Sequence, residues 1–533
     1  MENVTIIIML LFGVAFLSIL SNKYKFPFPI ALVLCGVIIS VIPGLPIVSL
    51  SPDVVFIIFL PPLLYRASWN TSWHDFKASI RPISFAAIGL VFFTTIAVAI
   101  AAHWLITDIS WPLAFLIGAI VSPPDAVAAT SITKGLGLNP RLLTILDGES
   151  LVNDASGLVA YKYALTAITL GNFVLWEASL NFFVVVAAGV SIGLGMGYIM
   201  YLVHKKFVCD PIVEVSLTFL TPFAAYLLAE HFHFSGVLAV VTTGLYLSFR
   251  SAQIFTHQSR IMTTTVWEVV EYILNGLIFI LIGLQLRQIM EGLDDYSNTS
   301  LAIWGLSISF VVIIVRFLWV LPATMLPRIL SKRIREKEAF DARNMIVFGW
   351  AGMRGVVSMA AALALPLTLP DGSAFPHRNL VIYLVFCVIL STLIGLGLTL
   401  PWLIKILKIE PYSIYAEEYE VRNVVVSQTI AHIEDNLSLL QDDLLNNIKN
   451  KYEVKFNRLQ RTDLPANFFG NGETLSANIF NEFTRLQIDL INVERKKIEE
   501  MHRSGEANEE ILRKIERELD LEETRLNMDM YEG

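Results

Sequence analysis

Charge is scarce in this chain. Asp, Glu, Lys and Arg make up 16% of its 533 residues, against 55% hydrophobic residues, and the mean hydropathy is +0.62. A water-soluble domain of that composition would expose large apolar patches, so a soluble protein is excluded and a membrane protein is expected. Cysteine is nearly absent. Cys35, Cys209 and Cys387 are odd in number, far apart, and set in or beside apolar runs, which implies neither a disulfide framework nor a CxxC metal site. There is no GxxxxGK[ST] phosphate loop, no HExxH, and no domain-sized polar insertion between apolar runs, which argues against nucleotide-driven pumping by this chain alone. A cleavable leader is not expected either: Glu2 replaces a basic n-region and no small-residue cleavage pattern precedes Asn22.

The charge that is present is unevenly placed. Residues 405–533 carry 17 basic and 26 acidic residues, whereas the first 404 carry 22 and 21. The expected organisation is a transmembrane domain over 1–404 and a polar cytoplasmic tail over 405–533. In the tail, Phe483, Leu486, Leu490 and Val493 recur at helical spacing, an alternating charge run follows from Glu494 to Arg525, and His502 to Asn508 reads as a turn between two helices. That tail is expected to regulate or dimerise, and nothing in it suggests catalysis or nucleic-acid binding.

A spanning helix needs about 20 mostly apolar residues. Thirteen runs qualify, at roughly 3–21, 28–42, 53–66, 82–106, 111–133, 142–168, 178–203, 212–230, 234–249, 262–284, 300–326, 344–366 and 380–403. Alternate connections collect seventeen basic residues, among them Lys23, Lys77, Lys134, Lys205, Arg260, Lys332 and Arg343; the other set holds only Arg287 and Arg378. The positive-inside bias predicts an N-terminus outside and a cytoplasmic tail. Lys162, Arg316 and Arg354 fall inside apolar runs. Lys162 and Arg316 lie towards span ends and are expected to snorkel to the interface.

Two spans are interrupted. Span 5 is broken by Ser122-Pro123-Pro124-Asp125, because consecutive prolines remove two backbone donors and clash with the preceding turn. Span 12 is broken by Gly349-Trp350-Ala351-Gly352-Met353-Arg354-Gly355. With spans 1–6 and 8–13 as two repeats around span 7, the breaks fall on the fifth member of each. An offset of seven spans makes the repeats inverted, and interrupted helices at matching places point to a transporter's ion site.

Span 6 contains Asp147-Gly148-Glu149-Ser150-Leu151-Val152-Asn153-Asp154-Ala155-Ser156-Gly157, unusually polar for a membrane helix. Glu149 and Asn153 share a face, as do Ser150 and Asp154, and Asp154 falls roughly 18–20 Å into the run, near the bilayer midplane. A carboxylate at that depth loses hydration, so it must be discharged by a proton or by a cation. Competition of the two for one group is the minimum chemistry of an antiporter.

The stretch Asp147 to Ala155 resembles the GESLLNDA signature of the monovalent cation/proton antiporter-1 family, the sodium/proton exchangers. Phe59 to Leu64, Ser122 to Ala128, Phe234 to Ala239 and Gly349 to Ser358 resemble its other motifs in order, and the tail looks like the bacterial branch. The resemblance implies an all-α membrane protein of thirteen transmembrane helices, with two inverted six-helix repeats and broken crossing helices. It further implies that Asp154 carries cation and proton, with Asp125 and Ser150 as further ligands of the metal ion, Na⁺. Asn153 is similar to the asparagine of the electroneutral members, and Glu149 to the acid that pairs with the arginine matched here by Arg354. Two positions depart from the pattern: Arg66 stands where an acid often follows the proline pair, and Pro124 where a threonine precedes the aspartate. Both bear on selectivity among Na⁺, Li⁺ and K⁺.

The expected function is thus secondary exchange of a monovalent cation, Na⁺ first, for H⁺ by alternating access, with a one-for-one stoichiometry making it electroneutral. The expected setting is the inner (plasma) membrane, as a homodimer, with no cofactor and no enzyme activity. The alternatives are a potassium/proton antiporter and, more remotely, an intramembrane aspartyl protease built on Asp125 and Asp154, although the YD and GxGD signatures are absent around both. A channel would not need inverted repeats around a titratable carrier.

Overall fold

The computed structural model describes residues 2–42, 55–133, 138–170, 175–207, 210–293, 296–330, 342–409, 414–436, 452, 477–505 and 507–531. Cys209, Lys134 and Lys332 of the sequence reading lie outside them. Every regular element among the described residues is helical. In chain order these are α1 (Glu2–Tyr24), α2 (Phe28–Val41), α3 (Leu60–Asn70), α4 (Trp73–Ala78), α5 (Ile80–Leu105), α6 (Trp111–Val121) and α7 (Ala126–Thr133). Then come α8 (Pro140–Leu170), α9 (Leu175–Phe207), α10 (Pro211–His231), α11 (Gly236–Ile254), α12 (His257–Met290) and α13 (Asn298–Leu330). The rest are α14 (Ala342–Trp350), α15 (Val356–Leu363), α16 (Arg378–Ile406), α17 (Ile414–Asn436), α18 (Ala477–Ser504) and α19 (Glu509–Tyr531).

Seven of these helices are long and apolar enough to cross a membrane on length and composition: α1, α5, α9, α10, α12, α13 and α16. Their outward faces are apolar. On α1, Met9, Phe12, Phe16 and Ile19 recur every three or four residues and are mostly exposed, as are Ile303, Leu306 and Phe310 on α13; such stripes suit lipid. Inward faces meet closely where side chains are small. α2 and α12 cross at Gly36 and Gly283, and a Cβ on either would collide with the other helix's backbone, which is how small residues let membrane helices approach.

The chain divides into two compact units. The first comprises Met1–Val203, Leu217–Phe249 and Trp267–Pro411 and holds both broken spans. Glu271 of α12 takes up Arg66 of α3 there (Nε to Oε2, 3.3 Å), so neither charge stands alone. Lys162 reaches Glu230 at 3.6 Å with both side chains partly exposed.

The second unit comprises His204–Ser216, Arg250–Val266 and Tyr412–Gly533. Its core is Val421 and Val425 of α17 against Ile491, Ile498 and Met501 of α18 and Ile511, Leu512, Ile515 and Leu519 of α19. The turn expected over 502–508 is present: α18 ends at Ser504 and Gly505 takes φ +68°, a left-handed residue that glycine adopts without strain. Across it His502 Nδ1 meets Glu509 Oε2 at 2.9 Å. Arg260 of the first turn of α12 bonds Asp520 of α19 through two nitrogens, and Arg495 of α18 reaches Asp520 (2.8 Å) and Glu523 (2.7 Å).

That His502–Glu509 contact makes the second unit's stability pH-dependent. Burial opposes the charge on both groups, but the Glu509 carboxylate holds His502 above its ordinary value of 6.5, and His502 with Arg513 holds Glu509 down to about 2. A raised histidine stabilises fully below 6.5 and loses its contribution as pH rises through the folded value; a depressed carboxylate stabilises above 4.5 and loses its contribution as pH falls towards about 2. The pair is therefore strongest between 4.5 and 6.5. Melting of the full chain in detergent should show stability falling as pH rises above the ordinary histidine value of 6.5, with a shallower fall in His502→Gln. An unchanged slope in that variant would show the pair to be inconsequential.

Candidate ion site

The proline pair and the glycine run do what their chemistry requires. Helix α6 stops at Val121 and α7 restarts at Ala126; α14 stops at Trp350 and α15 restarts at Val356. Opening a helix leaves backbone groups without ladder partners, and here the two breaks satisfy each other. Asp125 N donates to Met353 O at 2.7 Å, and Val356 N lies 3.4 Å from Asp125 Oδ2. Gly355 is obligatory for that approach, since a Cβ there would collide with the Asp125 carboxylate. In α16 a π-helical turn, Ser391–Leu396, brings Thr392 into range, and its Oγ1 accepts from Arg354 N at 3.0 Å. Inserted π turns commonly mark functional places.

Arg354 binds the crossing together. Its Nε donates to Val121 O (3.0 Å), Nη2 to Ser122 O (3.2 Å) and Nη1 to Gly352 O. The guanidinium thus occupies carbonyls released at both breaks. It is not the hydrogen-bonded partner of Glu149 expected from sequence, although the Glu149 carboxylate acts on it through space. Glu149 is taken by Arg316 of α13 in a two-point pair, Nη1 to Oε1 at 2.8 Å and Nη2 to Oε2 at 2.9 Å, with both side chains 1% exposed. Arg316 also donates to Phe348 O (3.2 Å) and lies 4.9 Å over the Phe348 ring. The snorkelling expected of Arg316 is therefore overturned. Depth could have flagged it: ten residues from the end of its apolar run is about 15 Å of helix, beyond a side chain's reach.

Helix α8 brings the carboxylates to the crossing. Asn139 caps it, its Oδ1 accepting from Arg141 N at 2.9 Å, so Asp154 stands fourteen residues, about 21 Å, along a 31-residue helix. Asp154 is 6% exposed and Asn153 fully buried. Asn153 Nδ2 donates to Pro124 O at 2.9 Å, tying α8 to the first break through the residue where the usual threonine is missing. Asp125 is near enough to act electrostatically on Asp154, so two carboxylates share this place. Ser150 is half-buried one turn before Asp154.

Two polar atoms here have no protein partner: Asn153 Oδ1 and Ser358 Oγ, the latter in the first turn of α15. Buried polar atoms are normally satisfied, and an unspent amide oxygen on the residue next to Asp154 fits a hard monovalent cation as cargo. The sequence reading gave Ser358 no role, although its motif ends on that residue.

The profile described as "Sodium/hydrogen exchanger, transmembrane" matches residues 6–406. The chain belongs to the sodium/hydrogen exchanger family. An uncharacterized Na(+)/H(+) exchanger of Mycobacterium tuberculosis is 30% identical to it over 98% of this chain and 96% of its own. The sodium, potassium, lithium and rubidium/H(+) antiporter of Bacillus pumilus is 33% identical over 76% of this chain and 61% of its own. Among solved structures, the sodium proton antiporter MjNhaP1 from Methanocaldococcus jannaschii superposes with TM-score 0.60 at 18% identity, covering 78% of this chain and 99% of that one. The protein is a multi-pass membrane transporter that exchanges monovalent cations for protons, and the fold is that of the MjNhaP1 structure.

Proposed function

We propose that Asp154 is the group that alternately carries the cation and the proton, with Asp125 and Ser150 as supporting ligands and Asn153, Glu149 and Arg354 organising the site. The observation that carries this is a buried carboxylate at the crossing of two broken helices whose other charges are already committed. Glu149 is spent on Arg316 and Arg354 on carbonyls. Asp154 is left to exchange partners, and each choice of partner excludes the other by charge. Thirteen spans in two inverted six-helix repeats, an outside N-terminus, a plasma-membrane setting and a homodimer complete the reading, with residues 405–533 as a regulatory or dimerising tail. Na⁺ is the leading cargo; K⁺ and Li⁺ follow, as in the name of the Bacillus pumilus relative.

With one carboxylate changing charge, one cation moves one way and one proton the other, so a cycle moves no net charge. Purified protein in proteoliposomes should acidify or alkalinise the lumen in response to a Na⁺ gradient. The rate should be insensitive to a potassium diffusion potential set with valinomycin, since each charge carried across the field would otherwise be worth about 2.3 kcal/mol per 100 mV. Absence of Na⁺-, Li⁺- or K⁺-dependent pH change would overturn the carrier reading. Steep potential dependence would instead show Asp125 titrating as a second carrier.

A further inference from the structure

Helix α8 carries a carboxylate that the exchange cycle described above does not use. Asp147 stands two turns before Asp154, about 10 Å along the axis, and the helical repeat points the two side chains within about 20° of one another. Ser150 falls on the same face, and Thr144 lies one turn nearer the Pro140 end.

Exposure sets this face apart. Thr144, Asp147 and Ser150 are half-buried, whereas residues that turn elsewhere are enclosed: Gly148 against Ile83 and Phe76, Glu149 on Arg316, Asn153 on Pro124. Past Asp154 the face changes character. Leu158 and Tyr161 follow, and with Ala119, Ile120, Val357 and Ala361 they line a small, mostly apolar cavity. The polar approach to Asp154 therefore lies on the Pro140 side, with apolar packing beyond it.

Nothing local explains Asp147. It is two turns inside a helix that Asn139 already caps, too far in to serve the helix end. Among the described residues no ion pair or hydrogen bond engages it. The basic residues of the helices packed beside it, Lys77 of α4 and Arg81 of α5, are exposed. An acid kept within a membrane span at such cost marks an ion's path more often than a structural need.

We propose that Asp147 is a positioning residue for exchange: it draws the incoming monovalent cation into the polar lane of α8 and raises its occupancy beside Asp154. The inference rests on the carrier reading of Asp154. Two helical turns separate the carboxylates, too far for both to coordinate one ion, so Asp147 acts by its field. A fixed charge between low-dielectric walls focuses that field on the approach. It attracts Na⁺, Li⁺ and K⁺ alike, and so sets apparent affinity and not selectivity.

The test is sided kinetics, with Na⁺ added to everted and to right-side-out vesicles. At the face where the Pro140 end of α8 opens, Asp147→Asn should raise the KM for Na⁺ about fivefold, the effect of a unit charge about 10 Å away at an effective dielectric between protein surface and water. The maximal rate and the KM at the other face should hold. Asp147→Glu should restore the parent KM. Added choline chloride should raise the parent KM more steeply than that of Asp147→Asn, because salt screens only what the charge supplied. Should Asp147→Asn fail to fold, Thr144→Lys decides: it keeps Asp147, sets an opposing charge nearer the mouth, and should raise the KM at that face alone. A KM unmoved at both faces, or raised equally at both, would overturn the positioning role. Exchange persisting in Asp154→Asn would overturn the carrier reading and this one with it; exchange lost there, with the KM of Asp147→Asn unmoved, overturns this one alone.

Discussion

Asp154→Asn is expected to abolish exchange to the level of vesicles lacking the protein, while leaving the protein folded. The amide has nearly the shape of the carboxylate but cannot gain or lose a proton in the working pH range, and it offers a cation no charge. Stability moves the other way. Asp154 is 6% exposed and feels the Asp125 carboxylate, so neutralising it removes a desolvation cost and a like-charge repulsion. Melting of the variant in detergent should match or exceed the parent, and dequenching of a pH dye in everted vesicles on adding Na⁺, Li⁺ or K⁺ should vanish. A variant that still exchanges near the parent rate would remove Asp154 from the carrier role; one that is inactive because it melts early would make the residue structural.

The opposite balance is expected at Glu149 and Arg316. Their two-point pair is fully enclosed, so Glu149→Gln or Arg316→Gln leaves an uncompensated buried charge and should destabilise by about 3–5 kcal/mol. Replacing both removes both charges, and the double variant should recover part of the loss. Combining Glu149→Gln with Arg354→Gln should recover less, because Arg354 hydrogen-bonds the carbonyls of Val121, Ser122 and Gly352 and meets the carboxylate only through space. Thermal melts of the five proteins decide between these pairings, and single variants as stable as the parent would refute both.

That contrast also marks where sequence reasoning stops. The two helix breaks were legible, because proline and glycine act on their own backbone and the interruption is local. So were the polar face of α8 and the turn at Gly505. The pairing of Glu149 was not, since its partner lies 167 residues away on another helix and was expected to reach the interface instead. One helix face does not reveal that partner; the third dimension does. The cross-bonding of the breaks was equally hidden, because backbone donors and acceptors carry no residue identity.

The bonds from Asp125 N to Met353 O and from Arg354 to Val121 O and Ser122 O make the two interrupted spans one mechanical part. Straightening either would strand groups on the other, so motion that exposes Asp154 first to one side and then to the other is cheapest when the crossing travels whole. For inheritance, the heritable module is likewise the pair of breaks: a proline run that drifts in one half of the chain must find its match in a glycine run more than two hundred residues away.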